Sequence, residues 1–161
     1  MYPLPRIDDM LERFGQAQWF TTLDLASGYW QVGMDPQDIE KTAFITSFGL
    51  YEFLVMPFGL SYAPGTFQRL MNRVLHDYLG IFVAVYLDDV IIFTKGPFEQ
   101  HLDELQQVFN KLRTANLKIK IKKCYFCSPN LGFLGHVVGQ DGIRPDPKSG
   151  EIPSTKIGNT T

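Results

Sequence analysis

Between residues 81 and 93 the chain is apolar apart from two adjacent carboxylates, Asp88 and Asp89. This stretch limits the possible folds more than any other. It is interrupted by charge and far shorter than the roughly 20 apolar residues a membrane helix needs. Its Val, Ile, Phe and Tyr content favours a pleated, buried surface. Residues 81–87 and 90–93 read as two apolar strands with Asp88-Asp89 at the turn between them, and such strands must be covered by other elements.

The flanking segments supply that cover. Ile7, Met10, Leu11 and Phe14 recur at helical spacing, with Pro5 suited to a first turn and Gly15 to a C-terminal cap. Residues 19–25 read as a buried strand ending near Asp24, and residues 42–46 and 50–55 as two strands joined at Ser47-Phe48-Gly49. Phe67, Leu70, Met71, Val74, Leu75 and Tyr78 step by three and four, which predicts an amphipathic helix from Ala63-Pro64 to Gly80. A further helix over residues 97–115 buries Leu102, Leu105, Val108, Phe109 and Leu112. Beyond it Leu117, Ile119 and Ile121 alternate with Lys118, Lys120 and Lys122, the pattern of a half-buried strand with a basic outer face. Residues 131–138 give one more strand, and Asp141-Gly142 turns into a last short one at Ile143. Helices and hairpins in this order predict an α+β fold, an antiparallel sheet backed by helices. Residues 146–161 are rich in Pro, Gly, Ser and Thr and are expected to be disordered.

The formal charge of −2 is unusual for a chain that grips nucleic acid, because phosphate binding depends on Lys and Arg. Its distribution is uneven. Residues 1–60 hold eight acids and three bases, so the rest carries +3. Lys111, Arg113, Lys118, Lys120, Lys122 and Lys123 fall within thirteen positions that contain no acid, either a solvated face or a nucleotide or nucleic-acid contact. No segment spans a membrane, no basic-then-apolar leader opens the chain, and two cysteines do not make a disulfide framework, so an intracellular protein is expected.

Two carboxylates side by side repel each other, and a divalent cation relieves that repulsion; Mg²⁺ in phosphoryl-transfer sites is typically held by one or two carboxylates plus substrate phosphates. The competing reading of Asp88-Asp89 is a solvated turn. Asp24, at the end of another apolar strand, adds a third acid where an unpaired charge is costly, although it could equally cap the turn through Ser27 and Gly28. If the two strands are neighbours, Asp24 and Asp88 can share a pair of cations about 4 Å apart, with Asp89 in support. Cys124-x-x-Cys127 has the spacing of half a zinc site, but no second pair follows it. There is no Gly-rich phosphate loop.

Three strings, taken in order, resemble polymerase motifs of reverse transcriptases: Thr22-Leu23-Asp24-Leu25-Ala26-Ser27-Gly28-Tyr29-Trp30-Gln31, Met56-Pro57-Phe58-Gly59-Leu60 with Ala63-Pro64 and Thr66-Phe67-Gln68, and Tyr86-Leu87-Asp88-Asp89. Residues 117–124 and Phe133-Leu134-Gly135-His136 are similar to that family's fourth and fifth motifs. Phe58 and the 133–136 string look like gypsy-type long-terminal-repeat retrotransposons, since retroviral enzymes usually carry Gln at the position of Phe58.

The resemblance implies the palm of a right-hand polymerase with partial fingers over residues 1–147, followed by a divergent tail at 148–161. It implies an RNA-directed DNA polymerase that transfers deoxynucleotides to a primer 3′-hydroxyl on an RNA or DNA template. Mg²⁺ would be the cofactor, with Mn²⁺ as an alternative. Asp24 and Asp88 match metal ligands, with the Leu25 carbonyl as a further oxygen, and Asp89 matches the third catalytic carboxylate. Tyr29 matches a sugar gate, and Phe58 and Gly59 match a turn that touches the incoming nucleotide. One of Lys118, Lys120, Lys122 and Lys123 matches a lysine near the pyrophosphate. The family acts in the cytoplasm, as part of a polyprotein that also carries fingers, thumb and ribonuclease H regions. Basic fingers residues and a thumb helix are not expected within these 161 residues. An inactive remnant serving as an interaction module therefore competes with the polymerase reading. A nucleotide cyclase shares the carboxylate logic but leaves Tyr29 and residues 57–68 without a purpose.

Overall fold

In the computed structural model, which describes residues 3–147, the centre of the main sheet is an antiparallel pair. Strand β1 (Trp19–Asp24) lies against β5 (Asp89–Thr94) in unbroken register from Trp19↔Thr94 to Asp24↔Asp89. Strand β4 (Val83–Tyr86) flanks β5 and β6 (Tyr125–Ser128) flanks β1, giving the order β4-β5-β1-β6. Helices α2 (Ala63–Val74) and α3 (Phe98–Thr114) cover one face, where Leu23, Val90 and Ile92 meet Phe67, Met71, Leu105, Val108 and Leu112. The opposite face carries Phe20, Ile91 and Phe93. They pack against α1 (Ile7–Phe14) and a three-stranded sheet formed by β7 (Asn130–Phe133), β8 (His136–Gly139) and β9 (Gly142–Pro145). Phe14 sits edge-on to Phe20, Phe93 and Phe133 at 6.4, 5.2 and 5.4 Å. Cover on both faces explains why β5 reads as a continuous apolar run and does not alternate. The α+β expectation holds, and among the described residues no helix is long and apolar enough to cross a membrane.

Several local expectations change. The acidic turn is displaced by one residue: Tyr86 pairs with Asp89, so Leu87-Asp88 forms the turn and Asp89 opens β5. Strands β2 (Phe44–Thr46) and β3 (Gly49–Tyr51) are shorter than expected and turn at Ser47-Phe48, because Thr42 closes a 3₁₀ turn and the chain beyond Tyr51 runs off to bridge Gly33 through Val55. The alternating lysine segment is not a strand. It makes one bridge, Leu25↔Ile119, then winds into a 3₁₀ turn, Ile121–Lys123, which leaves Ile121 exposed. The place beside β1 goes instead to β6, across a register shift between its pairings with Phe20 and Thr22. The single strand expected over residues 131–138 is a hairpin, with Leu134 and Gly135 both at positive φ as a two-residue primed turn demands. The last turn of the expected 63–80 helix is a separate 3₁₀ turn, His76–Tyr78. The disordered-tail expectation, apart from Asp146 and Pro147, lies outside the described residues.

On α3 the expected core residue Leu102 is exposed, and His101 and Glu104 are buried in its place. They join a polar chain whose direction is fixed by its ends. The Thr94 hydroxyl donates to a Glu104 carboxylate oxygen, so its own oxygen accepts from His101 Nδ1 at 2.6 Å. His101 Nε2 then accepts from the Thr21 hydroxyl at 2.8 Å, and Thr21 accepts from the Cys127 N–H at 3.0 Å. Burial holds the His101 pKa below its ordinary value. A histidine whose pKa is depressed on folding contributes stability that is present above its unfolded pKa of about 6.5 and is lost as pH falls through that value. Urea unfolding at pH 7.5 and 5.5 should therefore show a larger acid loss in the parent chain than in His101→Leu. The variant itself should be weaker at pH 7.5 by about 1–3 kcal/mol, because the Thr21 hydroxyl loses its acceptor while Thr94 keeps Glu104. Equal pH slopes in the two proteins would contradict the assignment.

Candidate active site

The carboxylates gather because strand register puts them together. Asp24 ends β1 and stands directly opposite Asp89, and Asp88 occupies the adjoining turn. Directly opposed residues of an antiparallel pair project on one face, with Cβ atoms roughly 4.5–5.5 Å apart. Although both side chains reach solvent, partial desolvation by the surrounding strands raises the pKa of Asp88 and of Asp89, and the charge of Asp24 raises both further. The Tyr29 hydroxyl bond and Lys123 pull Asp88 the other way; Lys123 also opposes the rise at Asp89. Among the described residues no group of three or more His, Cys, Asp or Glu side chains is placed to hold a metal ion. The three acids are neighbours at one end of the sheet.

The backbone around Asp24 is anchored. The Lys120 N–H donates to the Asp24 carbonyl at 2.8 Å and the Ala26 N–H to the Lys118 carbonyl at 2.9 Å, bonds that flank Leu25 and do not use its carbonyl. The Asp24 N–H points to Cys124 Sγ at 3.4 Å. Gln31 Nε2 donates to the carbonyls of Ala26 and Lys118 while its Oε1 accepts from the Lys118 N–H, so one side chain ties the lysine segment to the turn after β1. Cys124 and Cys127 are both free thiols.

Tyr29 lies on a 3₁₀ turn, Gly28–Gln31, entered through Ser27 in a left-handed conformation. Its ring meets Phe58 and Phe67 edge-on at 5.4 and 5.5 Å, and its hydroxyl donates to Asp88. Burial, then the Asp88 charge, raises the Tyr29 pKa. A Cβ on Gly28 would come within 2.8 Å of the Phe67 ring, so only glycine lets this turn close against α2. Phe58 is 60% exposed and also borders Trp30. Gly59 has φ +87, and it is this backbone conformation that favours glycine, because nothing crowds its Cβ position.

Among the four candidate lysines, Lys123 is the one whose charge acts on Asp88 and Asp89. It lines, with Asp89, Thr22, Tyr125 and Asn130, an open groove of about 420 Å³ between β1, β6 and β7. Lys118 faces a different hollow, with Phe109, Arg113 and Leu117. Two glutamines carried by the motif strings, Gln31 and Gln68, have structural importance that the strings alone do not reveal. For Gln68 a signal exists, since it falls on the apolar stripe of α2 beside Phe67 and Met71.

An antiparallel sheet backed by helices, with acids on adjacent central strands, defines a polymerase palm. The model for "Reverse transcriptase (RNA-dependent DNA polymerase)" matches residues 1–138, and the chain belongs to that family. It is 51% identical over 146 residues to the Retrovirus-related Pol polyprotein from transposon 297 of Drosophila melanogaster, an alignment covering 91% of this chain and 14% of that protein. With the polyprotein from transposon gypsy of the same fly it shares 40% over 147 residues, again 91% and 14%. An RNA-directed DNA polymerase homolog of Oenothera berteroana is 50% identical over 109 residues, 66% of this chain and 77% of that one. The gypsy-type retrotransposon affinity expected from Phe58 and residues 133–136 holds. The chain spans about one seventh of the length of the Drosophila polyproteins it matches. A foamy viral protease-reverse transcriptase in complex with RNA/DNA hybrid has the same fold, with TM-score 0.80 and 23% identity over 91% of this chain and 20% of that one.

Proposed function

We propose that this chain is the palm of an RNA-directed DNA polymerase, extending a primer 3′-hydroxyl with deoxynucleotides along an RNA or DNA template. The observation that carries the reading is the Asp24↔Asp89 pairing with Asp88 in the adjoining turn. The donor set suits a hard cation, since it consists of carboxylate oxygens with the Leu25 carbonyl beside them, and the raised pKa values of Asp88 and Asp89 mark charge that a cation would relieve. Mg²⁺, or Mn²⁺ in its place, would be held by Asp24, Asp88 and the Leu25 carbonyl. Bound there, it would supply charge neutralisation for the attacking hydroxyl and the departing pyrophosphate.

The chain's own residues do the remaining work. Asp89 adds negative charge behind the ligands and faces the groove. The Tyr29 ring, wedged between Phe58 and Phe67, walls the place of the incoming sugar. Phe58 and the Gly59 backbone form the exposed turn against the base. Lys123, the lysine closest in effect to the carboxylates, is the one assigned to the pyrophosphate. Residues 1–147 form the palm with partial fingers. Fingers, thumb and ribonuclease H regions of a longer cytoplasmic polyprotein complete the grip on nucleic acid. The exposure of Ile45, Phe48 and Leu50 on the β2–β3 hairpin supports such cover.

The test is to graft residues 3–147 into the transposon 297 polyprotein in place of its aligned segment, and to assay extension of a DNA primer on an RNA template. The graft should extend the primer in Mg²⁺. The isolated chain, which has one basic cluster and net charge −2, should bind Mn²⁺ in solution yet extend primers at least 100-fold more slowly, because duplex grip and alignment are lost. A folded graft that is inert would favour the interaction-module reading.

A further inference from the structure

We infer that Gln68 is a positioning residue whose buried carboxamide fixes the Leu87-Asp88 turn and thereby the place of Asp88. The inference rests on the polymerase reading only where it gives Asp88 a cation to hold.

Among the described residues strand β4 is the edge of the main sheet, so the outward main-chain groups near its end have no strand to pair with. Gln68, fully buried on α2, reaches them. Its Nε2 donates to the Val85 carbonyl at 3.0 Å and its Oε1 accepts from the Leu87 N–H at 3.1 Å. A carbonyl and an N–H two residues apart are the groups that one residue of a parallel neighbour strand would engage, and the carboxamide, with its own N–H and C=O, stands in for that residue. Its orientation follows from chemistry, since a carbonyl can only accept and a main-chain N–H can only donate. Nε2 also donates to Asn72 Oδ1 at 3.0 Å, which braces the side chain within its own helix.

The need for this bracing lies at Leu87. A two-residue turn favours Gly or Asn where φ is positive, yet Leu87 sits there at φ +53. A left-handed leucine persists only where its surroundings hold it, and the Gln68 bond grips the N–H of that residue. Asp88 follows directly, and Asp89 then pairs with Asp24. Without the carboxamide, the turn can relax toward ordinary φ and carry the Asp88 carboxylate away from Asp24.

The experiment uses the 161-residue chain with Gln68→Met, which keeps length and removes both bonds, and Gln68→Glu, which sets a carboxylate against the Val85 carbonyl. Amide hydrogen exchange is read at Leu87 against Val90 and Ile92, and Mn²⁺ affinity is titrated at a temperature where circular dichroism shows each variant folded. Exchange at Leu87 should accelerate at least 10-fold in Gln68→Met while Val90 and Ile92 hold, and Mn²⁺ affinity should fall about 10-fold; Gln68→Glu, whose carboxylate can still accept the Leu87 N–H, should accelerate exchange less. Adding Leu87→Gly, which tolerates positive φ, to Gln68→Met should restore much of that affinity; this double variant also serves if Gln68→Met alone does not fold. Unchanged Leu87 exchange in Gln68→Met overturns the inference, as does accelerated exchange in that variant with unchanged Mn²⁺ affinity. A parent chain that binds no Mn²⁺ counts against the cation reading instead, and Leu87 exchange still decides the role of Gln68.

Discussion

Asp88→Asn in the grafted polymerase should reduce primer extension by about 1,000-fold or more while leaving the protein folded. The substitution keeps size and hydrogen-bonding capacity and removes one negative charge from a position where burial and Asp24 already oppose ionisation. Folding should not suffer, because relieving that repulsion offsets the loss of a charged acceptor for the Tyr29 hydroxyl. Cation binding should suffer greatly. Stabilisation of transition-state charge by a bound metal is worth several kcal/mol, and each 1.36 kcal/mol is tenfold in rate. Asp24→Asn should behave alike, since Asp24 acts on both other acids. Asp89→Asn should cost less, because Asp89 is a neighbour of the ligands in this reading and not one of them. Single-turnover extension, with thermal melting as the check on folding, separates these cases. Retention of more than a tenth of the parent rate by folded Asp88→Asn would falsify the two-cation reading.

Much of this site was legible in the sequence because its chemistry lies at the ends of apolar strands. Asp24, Asp88 and Asp89 each interrupt or end a run of apolar residues, where a cation competes with a solvated turn or a cap as the explanation, and the motif strings around them decide between these. What periodicity could not supply was register. Placing the turn at Leu87-Asp88 instead of Asp88-Asp89 requires Leu87 to adopt positive φ, against leucine's preference, and the cause lies in Gln68, nineteen residues earlier on another element. The lysine segment misled for a related reason. Alternation over Leu117–Ile121 is what a strand would show, but main-chain bonds from Asp24 and Ala26, with the Gln31 carboxamide, set it as an irregular strap. His101 stands out in the sequence only as a single histidine among the residues of α3. Its burial depends on Thr21, Thr94 and Glu104 arriving from three elements, and no local pattern announces that convergence.

Tyr29→Ala in the grafted polymerase should raise ribonucleotide incorporation, relative to deoxynucleotide, by about 100-fold, whereas Tyr29→Phe should leave the ratio nearly unchanged. Exclusion of one hydroxyl by a wall of fixed shape is worth a few kcal/mol at most, which sets the size of the effect. The wall must be rigid to work. Edge-on contacts with Phe58 and Phe67 hold the Tyr29 ring from two sides, and Gly28 lets the 3₁₀ turn that carries it close against α2. Alanine removes the ring and opens space on the site side of Phe67. Phenylalanine keeps the ring and both aromatic contacts and loses only the hydroxyl bond to Asp88. The two variants thus separate shape from polarity: if the hydroxyl matters, Tyr29→Phe should alter the cation dependence of extension without altering the choice of sugar. The measurement is kcat/KM for a matched ribonucleotide and deoxynucleotide pair in each variant, at saturating template-primer. An unchanged ratio in an active Tyr29→Ala enzyme means that the sugar is sensed by another surface and that Tyr29 serves to pack the turn.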